Sequence, residues 1–212
     1  MLNRAVILLS LLILTGCGGD GGGAAVSPTD PDQSFSLSIT ANYPIQLTGS
    51  DSNGVSYVGS ISRAVRGQEM LGGVLVTVTE SIFSITGGGV STNSISTSYS
   101  DTDGNRIASV SGGGVTCTAV SPDSLPESGK IGDFGTLSPC VCDDNTTDQS
   151  NWRIEDAGNG IIALIIHTTS RDQSDSILFT RDTTYTLDVD GNRLSYGLEL
   201  YYDNYSLSLK SI

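Results

Sequence analysis

Four cysteines, one histidine, a few glutamates and three aspartate clusters are the groups in this 212-residue chain whose types and spacing could do chemistry. Cys140 and Cys142 are two residues apart, so on one strand face their Cα atoms would lie roughly 6.6 Å apart, at the limit for a disulfide. Cys117 is therefore the expected partner, with Cys142 preferred to Cys140. That bridge closes a loop of about 25 residues, which chain-entropy models credit with roughly 3 kcal/mol. A redox or zinc site is the weaker reading, because no Cys-x-x-Cys or zinc spacing accompanies the lone His167. No metal and no cofactor is expected.

His167 follows the apolar run of residues 161–166, on the odd-numbered face with Ala163 and Ile165. A rim or structural position suits it better than a general base, since no partner is visible in the sequence. Glu80, Glu155 and Glu199 fall on or near expected strands; a glycosidase pair could be drawn from them, but solvated strand residues are the simpler reading. There is no Gly-x-Ser-x-Gly elbow, Ser-x-x-Lys, His-Glu-x-x-His or P-loop. Asp133-Phe134-Gly135 spells a kinase tripeptide without any other kinase motif.

The aspartate clusters begin at Asp51, Asp101 and Asp188, each with a Gly at its fourth position. Calcium is the sharp alternative for them, but an EF-hand loop needs Gly sixth and Glu twelfth. Asn53-Gly54, Asp103-Gly104 and Asp190-Gly191 instead fit two-residue hairpin turns, which require positive φ. The third turn then sets Asp188 opposite Arg193, Leu187 opposite Leu194 and Tyr185 opposite Tyr196, and the second sets Asp101 opposite Arg106. The shared string Asp-x-Asp-Gly-Asn-Arg suggests a duplication.

These groups need strands to hold them, and the composition supplies strands rather than helices. Phe35, Leu37 and Ile39 alternate with hydroxyl residues, and the pattern returns at Val74-Val76-Val78, Phe83-Ile85, Trp152-Ile154, Ile162-Leu164-Ile166 and Tyr185-Leu187-Val189. Residues 161–166 are apolar on both faces, as a central strand would be. The fold class is all-β: antiparallel strands and hairpins forming a β-sandwich or a closed barrel. Residues 35–212 make the domain, with two subdomains (35–118 and 150–212) joined by a Cys-containing loop (119–149) as the alternative organisation; a structureless loop of that length is unusual, and a short strand near Gly135 to Cys142 is the other reading of it.

Ahead of the domain, one positive charge precedes an apolar run at 5–14 that is too short to span a bilayer, which takes about 20 residues. It fits a signal peptide, residues 1–16. Leu14-Thr15-Gly16-Cys17 resembles the lipobox of bacterial lipoproteins, which implies acylation of Cys17 and a mature chain starting there. Residues 17–34, rich in Gly and then Pro, form a flexible tether. Gly18 after the cysteine favours the outer membrane under that resemblance.

Without residues 1–16, nine basic residues face 23 acidic ones, a formal charge of −14. Such a surface repels phosphate backbones, so no nucleic-acid partner is expected. Leu125-Pro126, Gly132 through Leu137, Cys142-Asp143-Asp144, Trp152 through Glu155 and Asp188 through Arg193, with Leu47 through Gly54 and Gly59-Ser60 upstream, resemble an uncharacterised family of β-rich proteobacterial lipoproteins. The resemblance implies a β fold in the envelope and carries over no catalytic residue. The leading expectation is a membrane-anchored, non-catalytic binding or structural lipoprotein that meets an envelope protein or glycan. A lipocalin-like carrier of an apolar ligand is the alternative, and a glycan hydrolase comes third.

Overall fold

A computed structural model describes residues 29–37 and 43–212. The signal peptide, the lipidation site Cys17 and most of the tether lie outside the described residues. Alternating apolar and hydroxyl residues with frequent Gly, Asp and Asn turns give strands throughout, and no helix occurs among the described residues. In chain order they are β1 (Phe35–Ser36), β2 (Ile45–Asp51), β3 (Ser56–Leu71), β4 (Val74–Gly87), β5 (Val90–Ser100), β6 (Arg106–Val110), β7 (Thr116–Asp123) and β8 (Ser128–Gly129). They continue with β9 (Phe134–Thr136), β10 (Cys140–Cys142), β11 (Thr147–Gly158), β12 (Ile161–Arg171), β13 (Ile177–Leu187), β14 (Arg193–Tyr202) and β15 (Tyr205–Ser211).

Consecutive strands pair antiparallel from β2 to β7 and from β11 to β15. Two further contacts close the ring: β2 pairs with β15, and β10 pairs with both β7 and β11. The result is a closed barrel of twelve antiparallel strands. β9 and β10 lie in one row along β11, at Arg153 to Asn151 and at Asp148 to Thr147 respectively. They are two pieces of one wall strand, interrupted at Pro139, which has no N–H to give the ladder. The segment 119–149 therefore supplies a wall strand, and 35–118 and 150–212 are two arcs of one barrel rather than separate units. Closure forces this, since neither arc alone can satisfy its edge strands.

The ladder registers place one face of every strand inside. Ile45 and Leu47 on β2, Tyr196 on β14, and Leu207 and Leu209 on β15 form one buried cluster. Phe35, Leu37, Ile154, Ile162, Leu164 and Leu187 form a second. Phe35 and Leu37 belong to the two-stranded β1–β8 unit, which fills one end of the barrel. Ser36 N–H donates to the Val189 carbonyl at 3.2 Å, and Leu37 N–H to that of Glu127 at 2.9 Å. Leu125, Ile131 and Trp152 pack against the same cluster.

This end plug extends further toward the N-terminus than the expected tether allows. Thr29 is buried, its N–H reaches Asp156 Oδ2 at 3.4 Å, and its Oγ1 accepts from Gly160 N–H at 3.2 Å. Thr29 is thus docked on the β11–β12 turn by polar contacts, although no apolar period marks the segment.

The turns also differ from the two-residue form. At the Asp188 hairpin, Asp188 N–H donates to the Asn192 carbonyl and Gly191 N–H to the Asp188 carbonyl, both at 3.1 Å, and only Gly191 has positive φ, 81°. Asp188 therefore faces Asn192, and Leu187 faces Arg193. Leu194 is the extra residue of a bulge, after which the expected Tyr185–Tyr196 pairing is restored. The two rings meet edge to face, with centroids 5.4 Å apart. The Asp101 hairpin repeats this: Ser100 faces Arg106, Ile107 is skipped, and Tyr99 faces Ala108.

Candidate functional site

Two concave sites on the barrel bring chemically distinct groups together, one inside and one outside. The inner one is a cavity of about 440 Å³ in the lumen, within the range of small-molecule sites. Its wall is built from strands on opposite sides of the barrel. On β3, β4 and β14, Ile61, Phe83, Tyr196, Leu198 and Leu200 give it an apolar side. On β4, β5 and the β6–β7 turn, Ser81, Ser94, Ser96 and Ser111 give it a hydroxyl side. The polarity follows from sequence: β5 reads Val-Ser-Thr-Asn-Ser-Ile-Ser-Thr-Ser-Tyr-Ser, and its inward residues are hydroxyl-bearing from Thr92 to Ser98. Ser94 and Ser96 are exposed, so the cavity communicates with solvent.

Arg181 on β13 also lines this cavity. Its ladder neighbours are the buried Thr168 and the half-buried Leu200. Arg181 is exposed to solvent, and none of the ion pairs among the described residues includes it. Burial pushes the nearby Tyr185 and Tyr196 hydroxyls up, so both stay neutral, and Arg181 works against that shift. Arg63 lies on the same face of β3 as Ile61, paired with Ser81.

The outer site lies where β9 meets β11 and β12, a hollow of about 310 Å³ lined by Phe134, Trp152, Arg153 and His167 among others. His167 Nδ1 and Asp182 Oδ1 are 2.5 Å apart, and His167 Nε2 lies 3.2 Å from Thr169 Oγ1. That order of groups is the order of a base-activated nucleophile. An oxyanion, however, needs free N–H donors, and β12 is paired along Thr169 on both sides, with Gln149 and Thr180. Thr136 Oγ1 donates to Asn151 Oδ1 at 2.8 Å, which further occupies the rim.

The three glutamates do not converge. Glu80 pairs with Arg66, Glu155 Oε1 accepts from Arg153 Nε at 2.7 Å, and Glu199 accepts from the Tyr201 hydroxyl. All three lie on outward-facing positions of different strands.

Cys117 and Cys142 form the expected disulfide, directly opposite one another on β7 and β10. Cys140 is the free thiol, on the same inward face of β10, and burial pushes its pKa up. Cys117, Cys142 and Asp148 lie close enough to form a three-ligand cluster, but the disulfide leaves neither sulfur a thiolate.

Asn53-Gly54, Asp103-Gly104 and Asp190-Gly191 all lie in hairpin turns, and the residue that governs each turn is the Asp at its start. Asp51, Asp101 and Asp188 each accept with Oδ1 from the second and fourth following N–H groups, at 2.8 to 3.0 Å. Asp172 does the same without any Gly, using Asp175 at φ 65°. These carboxylates are committed to their own backbone.

The lumen residues were missed by a search for catalytic sets. Their signal was the serine run of β5, a strand with no apolar face, opposite strands that have one. Compared with known protein families, curated proteins and solved structures, the chain matches none.

Proposed function

We propose that this chain is a lipid-anchored protein of the bacterial outer membrane whose barrel binds a small ligand in its lumen without chemically changing it. The observation that carries the reading is the solvent-connected cavity of about 440 Å³, with an apolar side, a hydroxyl side and the Arg181 guanidinium, which faces no carboxylate among the described residues. A barrel packed solid would serve scaffolding alone. This one is filled where Phe35 and Leu37 pack and hollow where Ile61, Phe83, Leu198 and Leu200 face the β5 serines.

Anchoring is assigned to Cys17, and the barrel itself is read as lying in water. A membrane-spanning barrel is apolar outside and polar within. Here the inward residues include buried Leu47, Ile162, Leu164, Leu187 and Leu209, whereas Glu80, Glu155, His167, Asp182 and Glu199 face outward. The acidic surface and the fully paired β12 ladder around Thr169 argue against nucleic-acid binding and acyl transfer respectively.

Native mass spectrometry of the protein purified from its own host tests the reading. A small molecule retained at one per chain, and lost in Leu198→Trp, is expected. An empty wild-type chain, together with a ligand that survives Leu198→Trp, would each count against it.

A further inference from the structure

Resting on the lumen reading, we infer that the ligand is a single-chain amphiphile with an anionic head, its head held by Arg181 and its chain laid against Ile61, Phe83, Leu198 and Leu200. The cavity volume of about 440 Å³ suits one chain rather than the bulk of a two-chain phospholipid.

Charge selects the head. In a chain of net charge −13, cations are scarce, and six of the nine among the described residues are engaged by a carboxylate or an aromatic ring. Arg66, Arg106, Lys130, Arg153 and Arg171 each face a carboxylate. Arg193 lies over the Tyr43 ring, with its guanidinium carbon 5.6 Å from the centroid. Among the described residues Arg181, like Arg63 and Lys210, has neither kind of partner, and of these three only Arg181 lines the cavity, which no carboxylate lines. A guanidinium presents a planar fork matched to carboxylate or phosphate oxygens. Ser94 and Ser96 line the same cavity, and their hydroxyls can donate to the remaining oxygens of such a head. Arg63, on the same side of β3, adds to the positive potential. The opposite wall offers mainly carbon to the rest of the ligand, its polar groups being the Tyr196 and Thr183 hydroxyls.

The test uses the full chain carrying Cys17→Ser, so that its own acyl groups do not compete, stripped of bound lipid on a hydrophobic resin. Titration calorimetry compares dodecanoate, dodecyl phosphate, dodecanol and dodecylamine below their micelle concentrations. Both anions should bind at least about tenfold more tightly than dodecanol, with the amine weakest, as charge-assisted hydrogen bonds require. The tighter of the two anions names the head group. Arg181→Gln should abolish the margin while leaving dodecanol affinity and the melting curve unchanged, and Arg181→Lys should restore part of it. Equal binding of alcohol and anion, or a margin that survives Arg181→Gln, overturns the inference and leaves the lumen reading standing. Absence of binding by all four overturns both.

Discussion

One aspartate at the head of a five-residue turn does most of the local work in this chain. Its Oδ1 accepts two N–H groups that would otherwise point into water without a fixed partner, and the turn then closes around a residue of positive φ. Gly191→Ala places a Cβ at φ 81° and should destabilise the fold by about 1 kcal/mol, read from urea denaturation. The bonds to Asn105, Ser174 and Asn192 hold the Asp101, Asp172 and Asp188 carboxyls below the usual carboxylate range. A carboxyl whose pKa is lower folded than unfolded favours folding above its unfolded pKa, near 3.9, and loses that contribution as pH falls through its folded value. Thermal melts from pH 7 to pH 2 should therefore show the steepest loss below about pH 4. The triple replacement of these aspartates by Asn should flatten that loss. The Asp-Gly and Asn-Gly pairs were readable from sequence as turns; the role of the leading Asp was not, because Asp-x-x-Gly fits several turn types until the amides are placed.

At the scale of elements, the barrel depends on pieces whose sequence is least regular. The β1–β8 unit buries Phe35 and Leu37 completely or nearly so, at 0% and 3% exposure, inside an otherwise open end. Leu37→Ala should cost about 2–5 kcal/mol by guanidinium denaturation, the range for a core Leu; a cost near zero would mean the plug is not seated. The Cys117–Cys142 bridge ties β7 to β10, the short strand that joins the two arcs. Replacing both cysteines by Ser should lower stability by about 3 kcal/mol for a 25-residue separation. Buried Cys140 should resist iodoacetamide in the native protein and react once it unfolds. The long strands β11 to β14 were visible as alternation, whereas β9 and β10, with three residues each, were readable only as one short strand near residues 135–142. Period-2 patterns need four or more residues, and Pro139 splits the only stretch that could have shown one. Cys117 was legible as one half of the disulfide because strand rise disfavours a 140–142 bridge, whereas the choice of Cys142 over Cys140 is settled by the register that sets Cys117 opposite Cys142.

Over the whole molecule, the sequence allowed a sandwich or a barrel, and closure was decided by contacts far apart in the chain. β15 returns to β2, with Leu209 opposite Gly49, a pairing that no local pattern announces. A Cβ on Gly49 would lie 1.8 Å from the Ser208 carbonyl oxygen, so Gly49→Val should open this seam and expose apolar surface, seen as increased binding of a naphthalene sulfonate dye. The split of the lumen into serine and aliphatic sides follows from the inward residues of each strand, hydroxyl-bearing on β5 and apolar at Ile61, Phe83, Leu198 and Leu200.

The central claim is that ligand binds in this lumen rather than on the outer wall. Chemical-shift mapping of the isotope-labelled protein with dodecanoate tests it most directly. Shifts at Ile61, Phe83, Ser94, Ser96, Leu198 and Leu200 are the predicted result, and shifts confined to Phe134, Trp152, Arg153 and His167 would contradict it.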